Sequence, residues 1–304
     1  MRPMLLKTSP AGAGHTASQA ASVHWSCRML AAVRALGCRA ALAGSIVLAT
    51  GCASVTTPPP PPPDGLFQDH RFTLHDVASE ADQALALSEP MQAFLQGQRG
   101  LRYWADGRER ALLRAMQVGG LLRLEYDAAR TRNAASAFEA RAGNCLSLVL
   151  MTAAFAKAMG IEVAYQEVAS DDNWTRQDGL LVSALHVNLM LTPRMLSSVR
   201  STANWRDPML VDFLPPSDLQ GRRMRPISET TVLAMYLNNR ATEALVDGRA
   251  DEAYSFIREA LRRDPGLVQG YNTLGVIYRR HGESDSAVLA FEHALRLAPD
   301  NLNV

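Results

Sequence analysis

Downstream of residue 74 the apolar positions follow a helical rhythm, then a strand rhythm, then a helical rhythm again. Residues 74–98 carry helical spacing broken at Pro90, and 108–124 carry a second helical stretch containing Gly119 and Gly120. Thr131 is placed to cap a third helix that ends near Arg141. Asn144 then precedes a run, 145–159, that is apolar on nearly every face and closed by Gly160. A helix of that composition is predicted to lie inside a domain core. Residues 161–168 (IEVAYQEV) alternate and are rich in β-formers, which predicts a strand. The polar stretch 169–179, with Asp171, Asp172 and Trp174, predicts a loop. Two further strands are predicted, over 180–191 ahead of Pro193 and over 209–214 ahead of Pro215 and Pro216. Helices followed by strands predict an α+β domain over 66–222.

From Thr231 onward the pattern is helical, and it repeats after 34 residues. Gly248 returns as Gly282, Ala253 as Ala287, Ala260 as Ala294 and Pro265 as Pro299. The second unit reads Tyr271-x-x-Leu274-Gly275-x-x-Tyr278, then Ala287, Phe291, Ala294 and Pro299. This resembles the tetratricopeptide repeat at each signature position, with units at 234–267 and 268–301 inside an all-α segment, 228–304. The first unit departs from the pattern, with Arg240-Ala241 where Leu274-Gly275 later stand. The resemblance implies a protein partner. Two units leave an apolar helix face without a neighbour, because repeat stacks are stabilised by adjacent units. Leu289, Leu295 and Leu297 on the last helix are the side chains expected to dock elsewhere, on the preceding domain or on a partner.

The first 51 residues follow a different logic. Residues 40–50 (AALAGSIVLAT) form an apolar run of signal-core length, too short to span a bilayer, with Arg34 and Arg39 as its positive flank. Residues 29–51 alone make a compact signal peptide, so Met29 is an alternative start. The run ends Leu48-Ala49-Thr50-Gly51-Cys52, which resembles a bacterial lipobox, although Ala49 stands where Leu is usual. The resemblance implies a lipidated Cys52, a membrane anchor, and a location on the periplasmic face of a bacterial membrane. Ala53 after the cysteine is similar to outer-membrane sorting signals. Residues 52–65, with six prolines in a row, read as a stiff extended tether. The formal charge of +1 hides an asymmetry, because residues 1–51 hold five basic side chains and no acid. With those five set aside, 26 basic residues face 30 acidic ones, a net of −4. A mildly acidic chain lacks the basic patch that nucleic-acid binding requires.

Cysteine usage singles out one residue. Cys27 and Cys38 leave with the signal and Cys52 carries lipid, so Cys145 is the only thiol of the exported domain, and no disulfide accounts for it. It follows Gly143-Asn144 at the start of the buried helix, where the positive helix end favours a thiolate. Gly143 is expected to keep the approach to the sulfur clear. Of the five histidines after residue 52, His70 and His75 lie near the tether and His281 and His293 in the repeats. His186 is thus the base within the α+β block. Asp212 sits in a strand reading Leu210-Val211-Asp212-Phe213-Leu214, and a buried carboxylate requires a partner such as an imidazolium. Strand alternation turns it away from Val211 and Phe213.

The motifs Arg141-Ala142-Gly143-Asn144-Cys145-Leu146-Ser147, Leu185-His186-Val187-Asn188 and Val211-Asp212-Phe213 are similar to the three motifs of the transglutaminase-like superfamily. The similarity covers roughly 126–215. It implies a papain-like core of helices plus antiparallel sheet, with Cys145 as nucleophile, His186 as general base and Asp212 as its orienter. No cofactor is implied, and the three residues lack metal-ligand spacing. An oxyanion donor is not marked by any motif; the Cys145 N–H, Gln166 and Trp174 are the candidates. The implied reaction is acyl transfer from a protein or peptide substrate, peptidase- or amidase-like. Two alternatives stand beside it. One is a non-catalytic lipoprotein scaffold acting through its repeats. The other is a cross-linking transglutaminase, whose amine must come from the substrate, since Lys157 is the only lysine after residue 52.

Overall fold

A computed structural model describes residues 59, 61–98, 107–122, 124–168, 174–177, 180–183, 186–192, 208–214 and 221–299. The signal, the lipobox with Cys52, and most of the proline tether lie outside these residues, as do the last five positions.

The first described elements are a single 3-10 turn, Asp69–Arg71, and short helices α1 (Ala78–Asp82) and α2 (Glu89–Gln98). The helical spacing of 74–77 is not realised; these residues run without helix into α1. Pro90 opens α2 rather than breaking a longer helix, because in a first turn its missing N–H has no helical partner to lose. Helix α3 (Arg108–Val118) stops at Gly119, short of the predicted 124. Helix α4 (Ala134–Ala140) is capped by Asn133, whose side chain accepts the Ser136 N–H, so Thr131 is not the cap. Helix α5 (Cys145–Ala158) is buried on every side from Cys145 to Ala156. Phe94 and Phe138 pack on its Phe155, with ring centroids 5.4 and 5.8 Å away, and meet each other edge-on.

Two-residue strands β1 (Glu125–Tyr126) and β2 (Ala142–Gly143) pair in parallel just ahead of α5. The main sheet is antiparallel, in the order β7 (Met209–Val211), β6 (His186–Thr192), β3 (Glu162–Val168), β8 (Met224–Ile227). The predicted strand 180–191 is in fact two. Its first part, β5 (Leu180–Ser183), pairs with β4 (Trp174–Gln177) as a separate hairpin, so part of the expected loop is strand. Strand β8 holds Pro226, and an edge position tolerates a residue without an N–H. Tyr165, Val187, Leu189, Leu191 and Val211 share one face of the sheet and belong to the same apolar core as α5.

Four helices follow among the described residues: α6 (Glu229–Val246), α7 (Ala250–Arg263), α8 (Val268–His281) and α9 (Ser284–Leu297). Gly275 is required by their packing, since a Cβ there would meet the Phe291 ring at 2.5 Å. Helix α6 starts five residues before the repeat period, and this extra length is used by the α+β part. Glu229 takes the Lys157 ammonium at 2.5 Å and the Tyr165 hydroxyl at 3.0 Å. The N-terminal segment lies across α7 and α8. The Phe72 ring stacks on Tyr254 with centroids 4.0 Å apart. Asp69 accepts two hydrogen bonds from Arg258 and one from Tyr254. The Tyr278 hydroxyl donates to the Leu66 carbonyl at 2.6 Å and accepts the Gln68 N–H. The repeat helices and the α+β part therefore share one core. The face expected to do this does not: Leu289 and Leu295 are exposed, with Val288 beside them, and only Leu297 is partly covered.

Candidate active site

The site is assembled where α5, β6 and the end of β7 meet. Asn144 caps α5 in extended conformation, its Oδ1 accepting the Ser147 N–H at 3.0 Å and the Ser147 hydroxyl at 2.8 Å. Cys145 is the first helical residue and is buried to 8% exposure. Gly143 serves this turn directly. A Cβ on it would fall 2.6 Å from Ser147 Cβ, so packing against Ser147 demands the glycine.

His186 opens β6, and Asp212 lies one residue past the end of β7 instead of within a strand. The register still fixes their meeting. Leu189 faces Val211 across the two strands, which brings Asp212 opposite Asn188. His186, two residues from Asn188, shares its face of the sheet. His186 Nε2 and Asp212 Oδ1 are 2.8 Å apart, with side chains only 3% and 6% exposed. Asp212 Oδ1 also accepts the Leu214 N–H at 2.8 Å, and Oδ2 accepts Asn188 Nδ2 at 2.9 Å. The imidazole is hydrogen-bonded to the Cys145 side chain as well, so one ring bridges thiol and carboxylate.

The electrostatics follow from this arrangement. Burial works against a charged His186, but the hydrogen bonds to Asp212 and Cys145 and their charges overcome it and push its pKa up to about 9. Burial likewise opposes the Asp212 carboxylate, yet His186, the Leu214 N–H and Asn188 hold its pKa below the usual range. A charged pair in a dry site is thus stabilised by three donors on one carboxylate. Tyr126, half exposed and paired with Gly143 in register, has its phenol pKa raised by partial burial and by Cys145.

All three residues singled out in the sequence are thus neighbours. Of the oxyanion candidates, Gln166 sits opposite Asn188 with its Nε2 on Met190 Sδ at 3.2 Å, while the Trp174 side chain lies outside the described residues. From sequence alone Asn188 has no role beyond its place in the second motif, and Tyr126 has none. Asn188 could have been found, because it stands two residues after His186 on an alternating strand. Among the described residues no group of three or more His, Cys, Asp or Glu is arranged to hold a metal ion. Such an arrangement can polarise a thiol through a base held by a carboxylate.

Residues 268–301 match the model of the tetratricopeptide repeat family. Tetratricopeptide repeats commonly mediate protein–protein interaction. No curated protein matches the chain.

Proposed function

We propose that the protein is an exported cysteine acyl-transfer enzyme with a papain-like, transglutaminase-like core, anchored through a lipidated Cys52 to a bacterial outer membrane and facing the periplasm. The observation that carries this reading is the buried His186–Asp212 pair hydrogen-bonded to the side chain that opens helix α5. In the first half-reaction the Cys145 sulfur attacks a carboxamide carbon and a C–S bond forms. The C–N bond breaks, and the imidazolium gives its proton to the leaving amine. Water or a second amine then attacks the thioester, His186 accepts the incoming proton, and the C–S bond breaks to return the thiolate. Asp212 keeps the ring oriented and its charge balanced throughout. The backbone N–H of Cys145, at the helix start, is the donor offered to the oxyanion. The repeats bind a protein, either the substrate or an assembly partner.

A second reading is favoured by the repeat match at 268–301: a scaffold that acts through its repeats alone. One experiment separates the two. The purified protein is incubated with a cell-envelope peptide fraction, with and without added glycine amide, and products are followed by mass. Cys145-dependent loss of an amide bond supports the enzyme, with free carboxylate marking hydrolysis and the amide adduct marking transfer. Identical peptide profiles for wild type and Cys145→Ala would leave the scaffold.

A further inference from the structure

The first repeat helix reaches the nucleophile turn through a continuous chain of hydrogen bonds. Glu243, on α6, accepts the Thr131 backbone N–H at 2.6 Å through Oε1. The Thr131 hydroxyl accepts Asn144 Nδ2 at 2.7 Å, and Asn144 Oδ1 caps the turn that starts at Cys145. Glu243 is itself held: Arg240 Nη1 donates to its Oε2 at 3.0 Å, and Arg240 Nε donates to Glu80 at 2.8 Å. Tyr236 donates to the same Glu80 oxygen. The loop between Tyr126 and Asn133 is therefore clamped at both sides. Its Arg132 N–H donates to the Ser147 hydroxyl at 2.8 Å, and the Asp127 N–H donates to the Gly143 carbonyl. Thr131, Asn144 and Ser147 are all buried, so water does not replace a lost partner.

We infer that Glu243 is a positioning residue for Cys145, and that the first repeat is part of the active-site frame rather than a detachable binding module. The inference rests on the thiol-site reading above. Asn144 supplies the cap that orients the first turn of α5, and its amide is fixed by the Thr131 hydroxyl. Thr131 in turn is fixed by a carboxylate 112 residues away on another element. Burial pushes the Glu243 carboxyl above the usual range, while Thr131 and Arg240 pull it back, so the carboxylate has partners on both oxygens. Without Glu243 the loop loses its outer clamp, and the cap and the sulfur drift relative to His186.

The test is the rate of Cys145 alkylation by iodoacetamide at pH 7 in the full chain, followed on the Cys145 peptide by mass spectrometry. His186→Ala should slow it. Glu243→Ala should slow it about five- to tenfold, the effect expected from one buried hydrogen bond lost at a cap. Glu243→Gln, which keeps a carbonyl oxygen for the Thr131 N–H, should restore it. Asn144→Ser keeps a capping oxygen but cuts the link to Thr131. Adding Glu243→Ala to Asn144→Ser should therefore slow the reaction no further. Asp69→Asn, which breaks the Arg258 pair, should lower stability with no change in rate. Should Glu243→Ala not fold, Glu243→Met keeps the volume without the acceptor. A wild-type rate in Glu243→Ala or Glu243→Met, or effects of Glu243→Ala and Asn144→Ser that multiply, would overturn the inference while a slowed His186→Ala leaves the thiol reading standing. An unaffected His186→Ala would remove that reading and the inference together.

Discussion

Replacing Asp212 by Asn should weaken the dependence of the protein's stability on pH across the neutral range. Raising an imidazole from its ordinary 6.5 to about 9 corresponds to about 3 kcal/mol in favour of its charged form. Both side chains are almost wholly buried, so solvent does not screen this away. The sign follows from the direction of the shift. A histidine with a raised folded pKa contributes its full stabilisation below 6.5 and loses it as pH climbs through 9. Asp212, held below its ordinary 3.8, contributes above that value and loses its share as pH falls through the folded pKa. The pair is thus strongest between about pH 4 and 6.5. Asp212→Asn removes the charge and also the symmetry of the carboxylate. A single amide oxygen cannot serve His186, the Leu214 N–H and Asn188 together, so one donor meets the new NH2 at a further cost of about 1–3 kcal/mol. Urea unfolding of wild type and variant, from pH 6 to 9.5, reads both parts. The difference between them should be largest at pH 6 and shrink towards pH 9.5 by at most about 3 kcal/mol, since Cys145 shares in raising the His186 pKa. A difference that does not change with pH would refute the ion pair.

Other consequences are equally open to measurement. Gly143→Ala should lower stability by about 1–3 kcal/mol in thermal melts, because the added methyl overlaps Ser147 at 2.6 Å. Phe72→Ala should cost about 3–5 kcal/mol, since the ring is buried and stacked on Tyr254; a loss under 1 kcal/mol would mean that the N-terminal segment does not dock on the repeats. The fragment 228–304 alone should be poorly helical or self-associate, having lost Leu66 and Phe72 from its surface; a cooperatively melting monomer in circular dichroism and sedimentation would contradict this. In a bacterial host, Cys52→Ser should release the protein from membranes, and an unchanged membrane fraction would exclude the lipid anchor.

Local chemistry in the sequence marked α5 by its unbroken apolar run, β3 by its alternation and the repeat helices by their 34-residue period. It also marked Cys145, His186 and Asp212, whose residue types and element order are unusual in an apolar setting. What escaped was set by partners distant in the chain. Thr131 looks like a cap in isolation, yet Asn133 performs that role and Thr131 answers to Glu243. Leu289 and Leu295 are expected to dock on the preceding domain or on a partner; within the chain they stay exposed, and the repeat helices are covered by a segment near residue 70, through Phe72, Asp69 and Leu66. Strand β8 is hidden by Pro226, which only an edge position permits. Gly143 was legible as a special position, although its reason is the Ser147 side chain one turn on.

The central claim, that Cys145 forms an acyl intermediate with His186 as its base, is tested most directly by p-nitrophenyl acetate. This ester supplies an acyl group without requiring knowledge of the natural substrate. Mixed in excess with the protein, it should give a burst of p-nitrophenolate stoichiometric with the chain, and the quenched protein should carry one acetyl group on the Cys145 peptide. The burst should vanish in Cys145→Ala and slow by at least about a hundredfold in His186→Ala, the lower end of what a positioned general base contributes. No burst, or an acetyl group that reaches Cys145 as fast without His186, would contradict the account.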